Sequence, residues 1–189
     1  MTLTDLAAPT YSQMLGALAA WLRKAQAQVG RDHGDALLSA RLADDMFPLA
    51  TQIRFACVQA LEGMHRIRGA EFPPLHAALL DEGRAAGDQP GSLTDALSRI
   101  DEALAVVADL AAAGEETDPS APLAHALPIG MTFDFTGLQY VRDWALPQFY
   151  FHVMTAYAIL RSREIELGKA DYVAHLFPLL RQPDAPPAD

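Results

Sequence analysis

A helix that is apolar on every side has its place in the middle of a bundle, and one stretch of this chain reads that way. Residues 147–163, PQFYFHVMTAYAILRSR, have the length of a helix and carry apolar or aromatic side chains almost all the way round their first three turns. Pro147 suits the first turn, because its missing N–H would have no helical partner there. One titratable group, His152, sits in the middle of that surface. A buried imidazole needs a hydrogen-bond partner or a chemical task. The stretch is therefore expected to be the central helix, with His152 as the first candidate functional residue.

The rest of the chain supplies partners for it. Tyr11, Met14, Leu15, Leu18, Trp21, Leu22 and Ala25 recur at three- and four-residue steps and predict a helix over 8–28, stopped by Gly30. Asp35 is placed to cap a short helical segment over 36–42. A second long helix is expected to start at Asp45-Met46-Phe47-Pro48, with Asp45 as its cap and a stripe of Leu49, Ile53, Ala56, Cys57, Ala60, Met64 and Ile67. Gln52 borders that stripe, and the small residues Ala56, Ala60 and Gly63 admit a close neighbour. Residues 75–86 read as a short helix. Ser92 and Asp95 resemble a capping box that opens a third long helix ending near Ala113.

Beyond an acidic loop at 114–122 the period changes. Leu123, His125 and Leu127, and then Met131, Phe133 and Phe135, alternate with their neighbours, which predicts two strands turned by Pro128-Ile129-Gly130. Thr136 is placed to cap a short helix over 137–145, and Leu146-Pro147 reads as a break before the central helix. A terminal helix is expected over 169–177. The expectation is an all-α fold, a four-helix bundle with a small β-hairpin between the third and fourth long helices, as one domain over 1–180. Residues 181–189, rich in proline, are expected to form a flexible tail.

Composition narrows the class of partner. The chain of 189 residues carries a formal net charge of −10, which argues against nucleic acid and against an anionic membrane surface. No apolar run approaches the ~20 residues of a membrane span. The opening MTLTDLAAPT lacks a basic stretch followed by an apolar core, so no secretory signal is expected. A cytoplasmic location follows as the expectation. Cys57 is the one cysteine. It can form no intramolecular disulfide, and its apolar surroundings favour an inert buried thiol over a nucleophile.

Bundle sites are built from inward polar side chains on facing helices. His152 could bind a divalent metal, act as a base, or simply hydrogen-bond another side chain, with Gln52 and Tyr11 as the candidate partners. A metal asks for three or four donors, yet position 148 is Gln and position 156 is Ala, so no HxxxH pair surrounds His152. His33 falls in an expected loop, and His65, His76, His125 and His175 read as surface residues. No Gly-rich phosphate loop, GxSxG or HExxH occurs.

Three stretches, ARLADDMFPLATQIRFAC (Ala40–Cys57), LPQFYFHVMTAYAILR (Leu146–Arg161) and LGKADY (Leu167–Tyr172), resemble a bacterial family of unknown function placed in the DinB/YfiT-like superfamily of proposed metalloenzymes. The resemblance implies an up-down-down-up four-helix bundle, often dimeric. It also implies a metal site made in some members by a histidine on the second helix and an HxxxH pair late in the chain. Here His152 resembles one member of the late pair, Ala156 stands where its mate would be, and Gln52 takes the inward position on the second helix.

The expected function is a small-molecule-binding or non-catalytic bundle whose metal site is incomplete. Its candidate pocket is formed by His152, Gln52, Tyr150 and Tyr157, with Asp45 nearby. The competing readings are a metal-dependent transferase or hydrolase using zinc or nickel held by His152, and a structural module that forms a homodimer.

Overall fold

Helix α3, Leu49–Arg68, is the hub of the molecule, a place the sequence assigns to the stretch after Pro147. In the computed structural model, which describes residues 2–113 and 118–181 (Asp32 without its side chain), 15 of the 20 residues of α3 are buried. It packs against α1 (Leu3–Val29), α5 (Leu93–Ala112) and α7 (Leu146–Ser162), and against the shorter α4 (Pro74–Ala85). Helix α1 also packs on α5 and α7. The four long helices make the expected bundle. Helix α7 is at its edge, because Phe151 is 57% and Met154 39% exposed. An apolar circumference thus reports an uncovered face here as well as a buried one.

Helix starts depend on caps, and the caps explain most departures from the sequence reading. Helix α1 begins well before residue 8 because Thr2 and Asp5 form a reciprocal capping box. Pro9 costs that helix one backbone donor without ending it. Asp35 does not cap its own segment. That segment is α2 (Arg31–Ala36) followed by a 3₁₀ turn at Leu37–Ser39, and the Asp35 carboxylate accepts from the backbone N–H of Leu93 at 2.7 Å, at the start of α5. Ser92 and Asp95 form the expected box at the same end. Asp45 caps nothing either: α3 starts at Leu49 with Pro48 as the cap residue.

Close approach of α1 and α3 requires Gly63. A Cβ there would lie 2.1 Å from the Tyr11 hydroxyl, so only a hydrogen fits between the helices. The buried Leu, Ile, Trp and Tyr side chains of α1 and α3 form one continuous core with α5 and α7. Each fully buried large apolar side chain stabilises the fold by roughly 1.5–3 kcal/mol.

Strands β1 (Pro122–Ala126) and β2 (Thr132–Thr136) pair antiparallel, with Leu123 opposite Phe135 and His125 opposite Phe133. This is the expected hairpin. The helix after it departs from expectation. One α-turn, α6 (Gly137–Gln139), opens into a π-helical segment at Tyr140–Ala145 and runs into α7 without a break. Pro147 offers no N–H to the turn before it, and the wider π turn takes up that lost rung. After α7 the chain makes a short helix α8 (Lys169–Tyr172) and a 3₁₀ segment at Ala174–Leu179, where the sequence suggests one helix. The tail over 182–189 and residues 114–117 of the acidic stretch lie outside the described residues. Among the described residues no helix is long and apolar enough to cross a membrane.

Candidate functional site

The segment before α3 folds back on itself. Met46 N–H donates to the Ala43 carbonyl at 3.0 Å, and Leu49 N–H donates to the Ala40 carbonyl at 2.9 Å. The resulting loop holds the Phe47 carbonyl beside the first turn of α3, where Gln52 Nε2 donates to it at 3.3 Å. That contact orients the amide: its nitrogen faces Phe47 and its oxygen faces α7. There Gln52 Oε1 lies 2.9 Å from His152 Nδ1. A side-chain carbonyl can only accept, so Nδ1 carries the proton.

The imidazole is nearly sealed, and burial pushes its pKa down to about 4. It is therefore neutral at physiological pH, with Nδ1–H anchored and a lone pair on Nε2. Nε2 has no protein hydrogen-bond partner among the described residues, and the residue as a whole is 9% exposed. Aromatic rings surround it. Phe55 meets His152 edge-on at 5.5 Å between centroids, Phe151 does so at 5.4 Å, and Phe47 packs on Phe55 at 5.9 Å. Phe55 is itself held by α4. A Cβ at Gly83 would come within 2.4 Å of its ring, and Thr51 Oγ1 donates to the Gly83 carbonyl at 2.8 Å.

The structure thus brings Gln52 and His152 together and leaves the other candidates elsewhere. Tyr150 and Tyr157 lie on another face of α7. Tyr157 packs edge-on against Trp21 at 5.2 Å, Trp21 stacks on Tyr172, and Tyr150 is raised in pKa by burial and then by the neighbouring Tyr172. Asp45 is an exposed turn residue. Tyr11, the other partner considered for His152, instead packs edge-on against Phe149 at 4.9 Å, and its hydroxyl has no partner among the described residues. An open cleft of about 820 Å³ between the end of α1, α2 and the turn after α7 involves neither Gln52 nor His152.

Several histidines also depart from the sequence reading. His33 is in α2, not a loop. His65 is buried, with Nδ1 2.7 Å from the Leu61 carbonyl. His125 is buried beneath the hairpin, 3.6 Å from the Glu62 carboxylate and packed against Trp144. Burial lowers its pKa, an effect partly opposed by Glu62. Alternation along β1 marks the face of His125, but no sequence pattern shows that Glu62 of α3 stands opposite. Phe47 and Phe55 also wall the site, and neither belongs to the apolar stripe read for α3, so helical spacing does not point to them.

A divalent ion such as zinc takes three or four N, O or S donors at ~2.0–2.2 Å. His152 offers one nitrogen, the Gln52 oxygen already accepts Nδ1–H, and Ala156 offers nothing. Among the described residues no group of three His, Cys, Asp or Glu side chains is arranged to hold a metal ion. The residues present do not fit the metal that a DinB-like fold implies.

Comparison with known proteins agrees with the architecture. No curated protein matches the chain. A crystal structure of a DinB family member from Shewanella denitrificans is similar over 98% of this chain and 96% of its own, with 30% identity and a TM-score of 0.66. A family model described as a domain of unknown function, DUF1993, matches residues 3–173. The chain belongs to the DUF1993 family and has a DinB-like fold.

Proposed function

We propose that this protein is a ligand-binding bundle in which His152 Nε2 accepts a hydrogen bond from a small, largely apolar molecule carrying an O–H or N–H donor. The observation that carries this reading is the relay from the Phe47 carbonyl through Gln52 to His152. It fixes the tautomer, holds the ring, and leaves one acceptor lone pair among aromatic side chains. Such a group is too weak a base to be charged at neutral pH, but it is a good acceptor. The metalloenzyme reading lacks a ligand set at the same place.

Phenol is a suitable probe, with toluene as the control that lacks the donor. Titration followed by ¹⁵N NMR should move the His152 Nε2 resonance on adding phenol, with toluene at least tenfold weaker, and phenol binding measured by calorimetry should be lost in His152→Phe. Failure of phenol to perturb Nε2 at saturation counts against the proposal. So does a stoichiometric divalent ion bound through His152 in untagged protein.

A second reading rests on the exposed apolar face of α7. Phe151 and Met154 lie along it, and Phe47, 55% exposed, packs on Phe55, the ring that meets the same His152. We infer a homodimer through this face. Sedimentation velocity at micromolar concentration should show a dimer that Phe151→Glu converts to monomer, and a strict wild-type monomer would remove the reading.

A further inference from the structure

We propose that the cleft where α3, α4 and α5 meet binds a small zwitterion, a molecule of the α-amino-acid type whose carboxylate pairs with Arg54. The Arg54 side chain is only 5% exposed, and its one ionic contact among the described residues is a long one, Nε to Glu82 Oε2 at 3.5 Å. Glu82 is already engaged by Arg99, whose Nε lies 3.0 and 3.2 Å from its two oxygens. Arg54 Nη1 is buried with no partner among the described residues. A buried guanidinium with five donors and a single marginal contact is short of an anion.

The space for that anion exists. Arg54 lines a cleft of about 480 Å³, together with Gln89, Gly91, Ser98 and Arg99. Gly91, at φ +74°, keeps the edge of the guanidinium open, since a Cβ there would lie 3.2 Å from Arg54 Nη2. The site is separate from His152. Arg54 follows Gln52 by two residues, which turns it about 200° around α3.

Charge selects the class of ligand. The cleft wall holds two guanidinium groups, Arg54 and Arg99, and three carboxylates, Glu82, Asp95 and Glu102. Asp95 is held ionised by its hydrogen bonds from Ser92. A plain anion would add to the excess of negative charge, whereas a zwitterion leaves it unchanged. Its carboxylate meets Arg54 in the charge-assisted geometry that guanidinium favours, and its ammonium faces the carboxylates of Asp95 and Glu102.

The test compares three related probes: L-glutamine, its deaminated analogue glutaramate, and its decarboxylated analogue 4-aminobutanamide. Isothermal titration of the full chain should show millimolar or tighter binding of glutamine, with each analogue at least tenfold weaker. Arg54→Met should abolish binding. Ser98→Phe, which fills the cleft from an exposed position and leaves Arg54 in place, should do the same without lowering the melting temperature, and it decides the matter if Arg54→Met fails to fold. Glutaramate binding as well as glutamine overturns the zwitterion assignment. Absence of glutamine binding at tens of millimolar, or binding that survives Ser98→Phe, overturns the site.

Discussion

Gln52 and His152, 100 residues apart in sequence, are joined by one 2.9 Å hydrogen bond whose polarity is set by a third residue, since Phe47 holds the Gln52 amide nitrogen. Two variants separate the roles of shape and charge. Gln52→Leu leaves the buried Nδ1–H without an acceptor and should cost about 1–3 kcal/mol in urea unfolding. Gln52→Glu keeps the shape and puts a carboxylate next to the imidazole. It should raise the His152 pKa, read as a shifted histidine titration by NMR.

The pH dependence of stability follows from the same ring. The folded-state pKa of His152 is depressed from 6.5 to about 4, so between those values the unfolded chain binds the extra proton. Stability is complete above pH 6.5 and is lost as pH falls toward 4. The loss attributable to this ring is on the order of 3 kcal/mol. His76 and His125 are shifted the same way by burial, so the wild-type slope is shared. Denaturant unfolding at pH 7 and pH 4.5 should show a smaller difference in His152→Phe than in wild type; equal differences would exclude His152 as a contributor.

The core of this fold was legible because helical spacing is local information. Leu49, Ile53, Ala60 and Met64 announce α3 by their steps alone, and Ser92 with Asp95 announces the start of α5. What could not be read depends on contacts made across the fold. Asp35 looks like a cap for the residues after it and instead caps α5. The π segment before Pro147 adds a wider turn, which no apolar spacing signals. His152 and Gln52 were recognisable as inward polar residues, but Tyr150 and Tyr157, though only a turn or so away, point to Trp21 and Tyr172. Sequence proximity on a helix does not fix which neighbour a ring meets.

Tyr11 offers a test of close packing. Its hydroxyl is fully buried, without a partner among the described residues, and seated against Gly63. Gly63→Ala should destabilise by about 1–3 kcal/mol through overpacking. Tyr11→Phe removes an unsatisfied polar group and should be neutral or stabilising. Combining the two should recover part of the Gly63→Ala loss, because the atom nearest the new Cβ is gone. Thermal melts of the four proteins measure that coupling, and strict additivity would mean that the helices separate by another route.

Cys57 should be inert in the folded protein. It is fully buried in α3, and burial pushes its thiol up to about 12, an effect opposed by Arg54 and reinforced by the carboxylates of Glu102 and Glu82. The thiolate is the reactive species, so at pH 8 the native chain should not react measurably with a disulfide reagent. Labelling should instead follow global unfolding, its rate rising with urea in step with the unfolding arm of the kinetics. The same shift gives an alkaline signature. The folded thiol keeps its proton to higher pH than the unfolded one, whose pKa is 9.0, so stability should decline as pH rises above 9. Cys57→Ala should flatten that decline relative to wild type. Rapid native-state labelling at pH 8 would show that α3 opens locally around Cys57, and the hub of the bundle would then be less rigid than its burial indicates.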